Sequence, residues 1–273
     1  MRGAASYRRF SGNAAENYQR DFVPAIGRPA SGELLRAAGL QPGERVLDLA
    51  CGTGLITRLA AEQVGPSGTV TGVDITPEML AVASVQPAPT GAAPIDWRRG
   101  DACALELPDQ SYDVVVCQLG LMFMADQAAA MAEMRRVLVP GGRLALSTGG
   151  RIQPVFELLQ RVITDHISPE LGAFVPAVFS LHDSDTVAQL VRSAGFHDVT
   201  ARVYEVDLQL PPPAEFLWQY VNLTPMGALV AQAPEPARAA MEADFVAATT
   251  PAHTTPTGAT QVRQPLVLAT GRA

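Results

Sequence analysis

The sequence predicts an α/β fold: a seven-stranded, mostly parallel sheet with helices on both faces. Three observations carry this expectation. Short apolar runs alternate with stretches of helical periodicity up to about residue 150. Glycine and proline clusters fall between them as breakers. A glycine-rich turn, Cys51-Gly-Thr-Gly54, directly follows the first apolar run.

Residues 45–50 (RVLDLA) form the first strand, and Leu55, Ile56, Leu59, Ala60 and Val64 line one face of the helix after the turn. Gly65-Pro-Ser-Gly68 breaks that helix, and Thr69 to Val73 reads as the second strand, completing a parallel βαβ unit. Thr76-Pro77-Glu78 is a helix start, with a hydroxyl at the N-cap, proline at the first helical position and an acid in the first turn. Pro87 and Pro89 cut this helix short. Ile95 to Arg99 gives a third strand, and Tyr112 to Cys117 a fourth, apolar enough to be buried on both faces. Asp126, as N-cap, opens an amphipathic helix to Leu138; Pro140-Gly-Gly142 stops it, and Arg143 to Thr148 is a fifth strand.

The pattern loosens after residue 150. Helices are expected at 153–165 and at Ser184 to Ala194, the latter closed by Gly195. Val199 to Leu210 alternates as a sixth strand. Helical segments at 214–222 and 235–248, a proline- and threonine-rich loop, and a last strand at Gln261 to Thr270 complete the chain. With no repeat and no linker, residues 1–273 read as one domain: a core at 30–150, with 151–180 and 211–260 as helical insertions capping it.

Composition narrows the function classes. The 273 residues are 48% hydrophobic and 17% charged, enough for a sizeable core. A net charge of -7 and only scattered arginine pairs argue against nucleic acid as a partner. No apolar stretch reaches the roughly 18–20 residues that span a bilayer, and no apolar run follows the arginines of residues 1–10 as a secretory leader would require. Cys51, Cys103 and Cys117 show no metal-ligand spacing and read as free thiols of a reducing cytoplasm, so no metal site is expected. All 20 basic residues are arginine, which excludes Schiff-base chemistry and a phosphate-binding loop lysine.

In a parallel sheet ligands bind at the carboxyl ends of strands where the strand order reverses. Gly52 and Gly54 sit after the first strand and let backbone approach a ligand closely. Asp74, 20 residues past Gly54 at the end of the second strand, is placed to accept from both hydroxyls of a ribose, or simply to favour the next helix's N-terminus. A dinucleotide site would want a third glycine, but Leu55, Ile56 and Thr57 follow Gly54. Asp48 would repel a pyrophosphate and suit a cationic ligand instead. S-adenosylmethionine, with an ammonium and a sulfonium and no phosphate, fits these electrostatics better than a nicotinamide dinucleotide.

Val46-Leu-Asp-Leu-Ala-Cys-Gly-Thr-Gly54 resembles motif I of the class I S-adenosylmethionine-dependent methyltransferases. Val73-Asp-Ile75, Gly100-Asp-Ala102, Cys117-Gln118 and Arg136-Val-Leu-Val-Pro-Gly-Gly142 match the later motifs in order. The chain most resembles the ubiquinone/menaquinone-type and related bacterial small-molecule enzymes, over about residues 15 to 150. The resemblance implies a Rossmann-like sheet and S-adenosylmethionine as cofactor. It implies that Asp48, Ala50, Cys51 and Gly52 face the methionine end, with Thr53 and Gly54 shaping that pocket. Asp74 would hold the ribose, Ile75 and Met79 would lie against the adenine, and Asp101 and Ala102 would bond its edge. Gln118 would sit beside the donor methyl, and Tyr18 would close over the methionine carboxylate; Tyr18 and Met79 equally suit a core. Two stretches depart from the family: proline-rich Val85 to Pro94, and a tail, Pro211 to Gly258, with no acceptor motif.

The expected reaction is in-line transfer of a methyl group, in which alignment alone supplies roughly 7–11 kcal/mol. A base is needed only for an acceptor that is protonated at neutral pH. His166 and His253, in the insertions, are the two candidates; His197 reads as solvent-facing and His182 as structural. Leu121, Met122 and Phe123 follow the fourth strand and are the expected substrate-pocket residues. Phe174, Phe179, Phe216, Trp218 and Tyr220 lie in the insertions, as core or as pocket walls. If they are walls, the acceptor is a flat hydrophobic or aromatic metabolite, with the acceptor atom open. The same pocket could serve cyclisation, decarboxylation or hydroxylation, a nicotinamide reaction is disfavoured, and the insertions could also join two copies as a homodimer.

Overall fold

A computed structural model describes residues 14–224, 226–253 and 259–273, with the side chains of 250–253 left aside. Helix α1 (Ala14–Asn17) continues through a π-helical stretch, Tyr18–Gly27, into α2 (Arg28–Ala38). Then follow β1 (Arg45–Leu49), α3 (Leu55–Val64), β2 (Thr69–Asp74), α4 (Pro77–Val85), β3 (Ile95–Arg99) and β4 (Tyr112–Gln118). Helix α5 (Gln127–Val137) leads into β5 (Leu138–Gly149), followed by α6 (Pro154–His166), α7 (Pro169–Gly172), α8 (Phe174–Val178) and α9 (Ser184–Ser193). The chain ends with β6 (His197–Leu210), α10 (Pro213–Asn222), α11 (Met226–Gln232), α12 (Glu235–His253) and β7 (Thr260–Arg272).

The seven strands form one sheet in the order β3-β2-β1-β4-β5-β7-β6. β1 pairs in parallel with both β2 and β4, β2 with β3, and β4 with β5, while β7 runs antiparallel to β5. The order reverses between β1 and β4, so the crevice for a ligand opens at their carboxyl ends. β1 and β4 are central and their interiors are fully buried, as parallel strands covered on both faces must be.

The chain divides into two compact units. A sheet unit holds Ala30–Gly150, Leu181–Tyr204 and Pro265–Ala273; a helical unit holds the described residues ahead of Ala30, Arg151–Ser180 and Glu205–Gln264. In the sheet unit, Leu47, Leu49, Val115 and Leu144 pack against Met131 and Met134 of α5 and Val187 and Val191 of α9. In the helical unit, α6 and α10 both pack on α12, and Asn17 Nδ2 donates to the Asn222 carbonyl at 3.0 Å. No helix among the described residues is long and apolar enough to cross a membrane.

Three local expectations change. Pro140-Gly-Gly142 does not separate helix from strand: α5 ends at Val137 and β5 starts at once, with Leu138 opposite Tyr112 and Arg143 opposite Val114. The surplus residues bulge out of the ladder, with Gly141 at φ 79°. Asp126 does cap α5, accepting from Ala129 N at 2.9 Å, but the Thr76 side chain makes no cap bond. Finally, α12 runs on to His253 where a loop was expected after residue 248, because Met241, Phe245 and Thr249 keep a buried face at four-residue spacing.

Candidate functional site

The turn after β1 is built from residues in left-handed backbone: Ala50 at φ 57°, Gly52 at 54° and Gly54 at 80°. Such conformations are natural for glycine and costly for alanine, which must be held in place. Holding comes from β2: Cys51 N donates to Val73 O at 3.0 Å, and Gly52 N donates to Asp74 Oδ2 at 2.8 Å. Asp74 Oδ1 accepts from Thr76 N at 2.9 Å, so one carboxylate braces the glycine turn and the entry to α4 together.

Asp48 lies beneath this turn, buried, and accepts from Thr57 Oγ1 of α3 at 2.6 Å. Burial pushes its carboxyl up to about 7; the Thr57 bond pulls the other way, and the nearby charge of Asp74 adds to the rise. A carboxyl in this state gains from any cation brought to it. Thr53, also buried, has an Oγ1 without a hydrogen-bond partner among the described residues. Burial, with Asp48 and Asp74 close by, pushes the Cys51 thiol well above its ordinary value and leaves it a poor nucleophile.

The turn after β4 meets the turn after β1. A Cβ on Gly120 would stand 2.6 Å from the Ala50 Cβ and 3.2 Å from Cys117 Sγ, so only glycine lets the two turns touch. Gln118 ends β4, half-buried, and Leu119 at φ 52° donates its N–H to Ser147 O at 2.9 Å. After Gly120, Leu121–Phe123 make a single 3-10 turn. Leu121 and Met122 pack into the core of the sheet unit, whereas Phe123 is 52% exposed.

Beyond β3, Gly100 N donates to Asp74 O at 3.1 Å, and Asp101 Oδ1 accepts from Cys103 N at 2.9 Å. The following loop is gripped by α5: Arg136 donates to the carbonyls of Leu105 at 2.9 Å and Leu107 at 2.8 Å, while Glu133 accepts from Leu105 N at 2.7 Å. Ala102 and Met79 are half-buried, and Ile75 is 59% exposed, an aliphatic side chain left open at the end of β2. Asp48, Ala50, Cys51, Gly52, Thr53, Gly54, Asp74, Ile75, Met79, Asp101, Ala102 and Gln118 thus all lie at the carboxyl ends of neighbouring strands in the sheet unit.

Tyr18 and the two histidines belong to the helical unit. Tyr18 stacks on Phe22 with ring centroids 4.4 Å apart. His166, the last residue of α6, has Nε2 2.8 Å from Asp244 Oδ2 of α12, a contact that orients the imidazole. His253 ends α12, and its side chain lies outside the described residues. Among the described residues no three His, Cys, Asp or Glu side chains gather as metal ligands.

The sequence reading did not single out four structural contributors. Thr57 looks like a minor member of an apolar helix face. Trp97 lies across two glycines: a Cβ on Gly54 would come within 2.3 Å of its ring, and one on Gly72 within 2.8 Å. Gly120 and Glu133 complete the set; Glu133 pairs with Arg136, which already heads the last matching motif. The signal for Trp97 was a bulky residue on the strand next to two glycines, and for Gly120 a second glycine directly after a central strand.

Residues 47–146 match the family described as "Methyltransferase domain". Nocamycin O-methyltransferase of Saccharothrix syringae is 33% identical over 212 residues, covering 71% of this chain and 74% of that protein. A ubiquinone/menaquinone biosynthesis C-methyltransferase of Shewanella halifaxensis is 31% identical over 60% of this chain and 71% of its own. Among solved structures, the crystal structure of a SAM-dependent methyltransferase from Aquifex aeolicus superposes with a TM-score of 0.52 at 20% identity, covering 72% of this chain and 94% of that one.

Proposed function

The chain belongs to the S-adenosylmethionine-dependent methyltransferases, and from that premise we propose that its acceptor is a small organic molecule with a hydrophobic or aromatic body. Phe123 carries this reading: a phenyl ring 52% exposed just past the carboxyl end of β4, on the ligand side of a parallel sheet. Both relatives are named for small organic products, which supports the same class. The three cysteines are free, which favours a reducing compartment such as the cytoplasm.

The residues of the sheet unit fit the cofactor. Thr53 Oγ1 is a buried polar atom left for a ligand to pair, and Asp48 is a buried carboxyl in need of a cation. When bound, S-adenosylmethionine supplies a methyl group on a sulfonium that is already an activated leaving group. We assign Asp48, Ala50, Cys51, Gly52, Thr53 and Gly54 to its methionine end. Asp74 is assigned to the ribose: each carboxylate oxygen accepts one backbone N–H and keeps lone-pair capacity for a hydroxyl. Ile75, Met79, Asp101 and Ala102 are assigned to the adenine, and Gln118 to the neighbourhood of the donor carbon. The protein's task is then to hold donor and acceptor in line and exclude water, the source of roughly 7–11 kcal/mol.

An acceptor screen tests the class. Purified protein with S-adenosylmethionine is offered phenols, quinols and other flat apolar compounds beside polar amino acids and sugars, and products are identified by mass. Methylated products confined to the apolar set are expected. Methylation of the polar compounds alone would contradict the proposal.

A further inference from the structure

One row of residues crosses the sheet unit beneath the glycine turn. Asp48 of β1 stands opposite Gly72 of β2, and Gly72 stands opposite Trp97 of β3. Cross-strand partners project to the same face, so all three positions share the side of the sheet on which α3 packs. The middle position has no side chain, and the indole fills the gap. A Cβ on Gly72 would lie 2.8 Å from Trp97 Cε3 and Cζ3 and 3.1 Å from Thr57 Oγ1. That hydroxyl is the donor to Asp48 Oδ2. Cη2 of the same ring would stand 2.3 Å from a Cβ on Gly54, with Arg58 Nη1 2.9 Å from that position. One side chain thus reaches both the glycine turn and the partner of the buried carboxyl.

β3 is the outermost strand on this side of the sheet. Trp97 is half-buried, so part of the indole meets solvent while its six-membered ring reaches Gly72 and Gly54. Asp48, two strands further in, is only 1% exposed. Removing the ring would open a path from the sheet's edge to a carboxyl and a hydroxyl, the polar kind of space that water fills.

Resting on the assignment of Asp48 to the cofactor's cationic end, we infer that Trp97 is a positioning residue of the cofactor site. Its indole is the apolar wall that keeps water from the Asp48–Thr57 pair and seats the glycine turn at Gly54. Burial is the largest cause of the raised Asp48 value, and this wall supplies part of that burial. The other groups acting on Asp48 are Thr57 and Arg58 of α3, which pull it down, and Asp74 of β2, which raises it. The Cys51 and Cys117 thiols are also near, and burial keeps both protonated.

Two pH profiles test the assignment. Without ligand, the melting temperature of Asp48→Asn is compared with that of its parent from pH 5 to pH 8, in the wild-type background and in Trp97→Ala. The higher melting of Asp48→Asn at pH 8 is expected in the wild-type background and lost in Trp97→Ala, where a hydrated carboxyl ionises freely. With ligand, the affinity of the wild type for S-adenosylhomocysteine should rise about 10-fold from pH 6 to pH 8, following the ionised fraction of a group that titrates at about 7. In Trp97→Ala that affinity should be lower at pH 8 and change less than about 2-fold over the same range. Trp97→Phe, which keeps a six-membered ring on the strand, should restore both profiles. Trp97→Leu carries the same comparison if Trp97→Ala does not fold. A wall that merely adds stability would lower the melting temperatures and leave both profiles as in the wild type; that result, or a wild type with no pH-dependent Asp48→Asn difference, overturns the assignment. Folded wild type that binds no adenosyl ligand removes the cofactor assignment separately, and the ligand-free profiles still decide whether Trp97 shields Asp48.

Discussion

At the scale of single residues the most informative group is Asp48, a carboxyl buried beside a second buried carboxylate. Its folded-state value of about 7 lies above the ordinary 3.8, so the folded protein keeps a proton that the unfolded chain has released. That contribution to stability is fully present below the ordinary value and is lost as pH rises through about 7. Asp48→Asn should therefore melt at a higher temperature than the wild type at pH 8 without ligand, and the difference should shrink toward pH 5. Ligand binding has the opposite dependence. A cationic cofactor selects the ionised carboxylate, so affinity should rise as pH passes through 7, with proton uptake by buffer when binding occurs at pH 6. Calorimetry in two buffers of different ionisation enthalpy reads this directly, and a pH-independent affinity with no proton release would contradict it. Asp48 and Asp74 stood out in the sequence because an acid beside a glycine turn, and another at the end of the next strand, are unusual places for charge. Thr57 and Trp97 did not, since a threonine on a helix and a tryptophan on a strand carry no local mark of the partner they will meet.

At the scale of elements, the glycine turn, α3 and β3 act as one unit held by Trp97. Gly54→Ala would place a Cβ 2.3 Å from the Trp97 ring and force alanine to φ 80°. Left-handed backbone and overpacking together cost about 2–4 kcal/mol, and cofactor affinity should fall with the turn's geometry; a variant with unchanged melting temperature and affinity would show that the turn is looser than described. Arg136→Ala removes donors to the Leu105 and Leu107 carbonyls. Hydrogen exchange over residues 101–109 should accelerate, while α3 and β1 stay protected. Most of these elements were legible because apolar runs of period two and helical stripes alternate so regularly up to residue 150. The start of β5 was not legible, since a bulge absorbs Pro140-Gly-Gly142 without ending the strand. The length of α12 was missed because Thr250 and Pro251 read as loop residues, while the buried stripe of Met241, Phe245 and Thr249 decides the conformation. Helices α1, α2 and α11 are rich in small and polar residues and gave little periodic signal.

At the scale of the whole molecule, the division of labour follows composition. The sheet unit contains the cofactor motifs, and their order along the chain makes the family legible in the sequence. The helical unit is where the sequence was least informative, because an aromatic residue in an insertion reads equally as packing or as recognition. Cofactor binding should stabilise the folded protein by mass action: S-adenosylhomocysteine at 100 times its dissociation constant adds about 2.7 kcal/mol, a rise in melting temperature of roughly 5–11 °C at the 2–4 °C per kcal/mol of a chain near this size. The central claim, an S-adenosylmethionine site built on Asp48, the glycine turn and Asp74, is tested most directly by titrating the purified protein calorimetrically. S-adenosylmethionine, S-adenosylhomocysteine and NAD are each titrated into the wild type and into Asp74→Ala, with melting curves to show that both are folded. Micromolar binding of the two adenosyl ligands, lost in Asp74→Ala and absent for NAD, is the predicted result; folded wild-type protein that binds neither adenosyl ligand, or an Asp74→Ala variant that binds both undiminished, would contradict it.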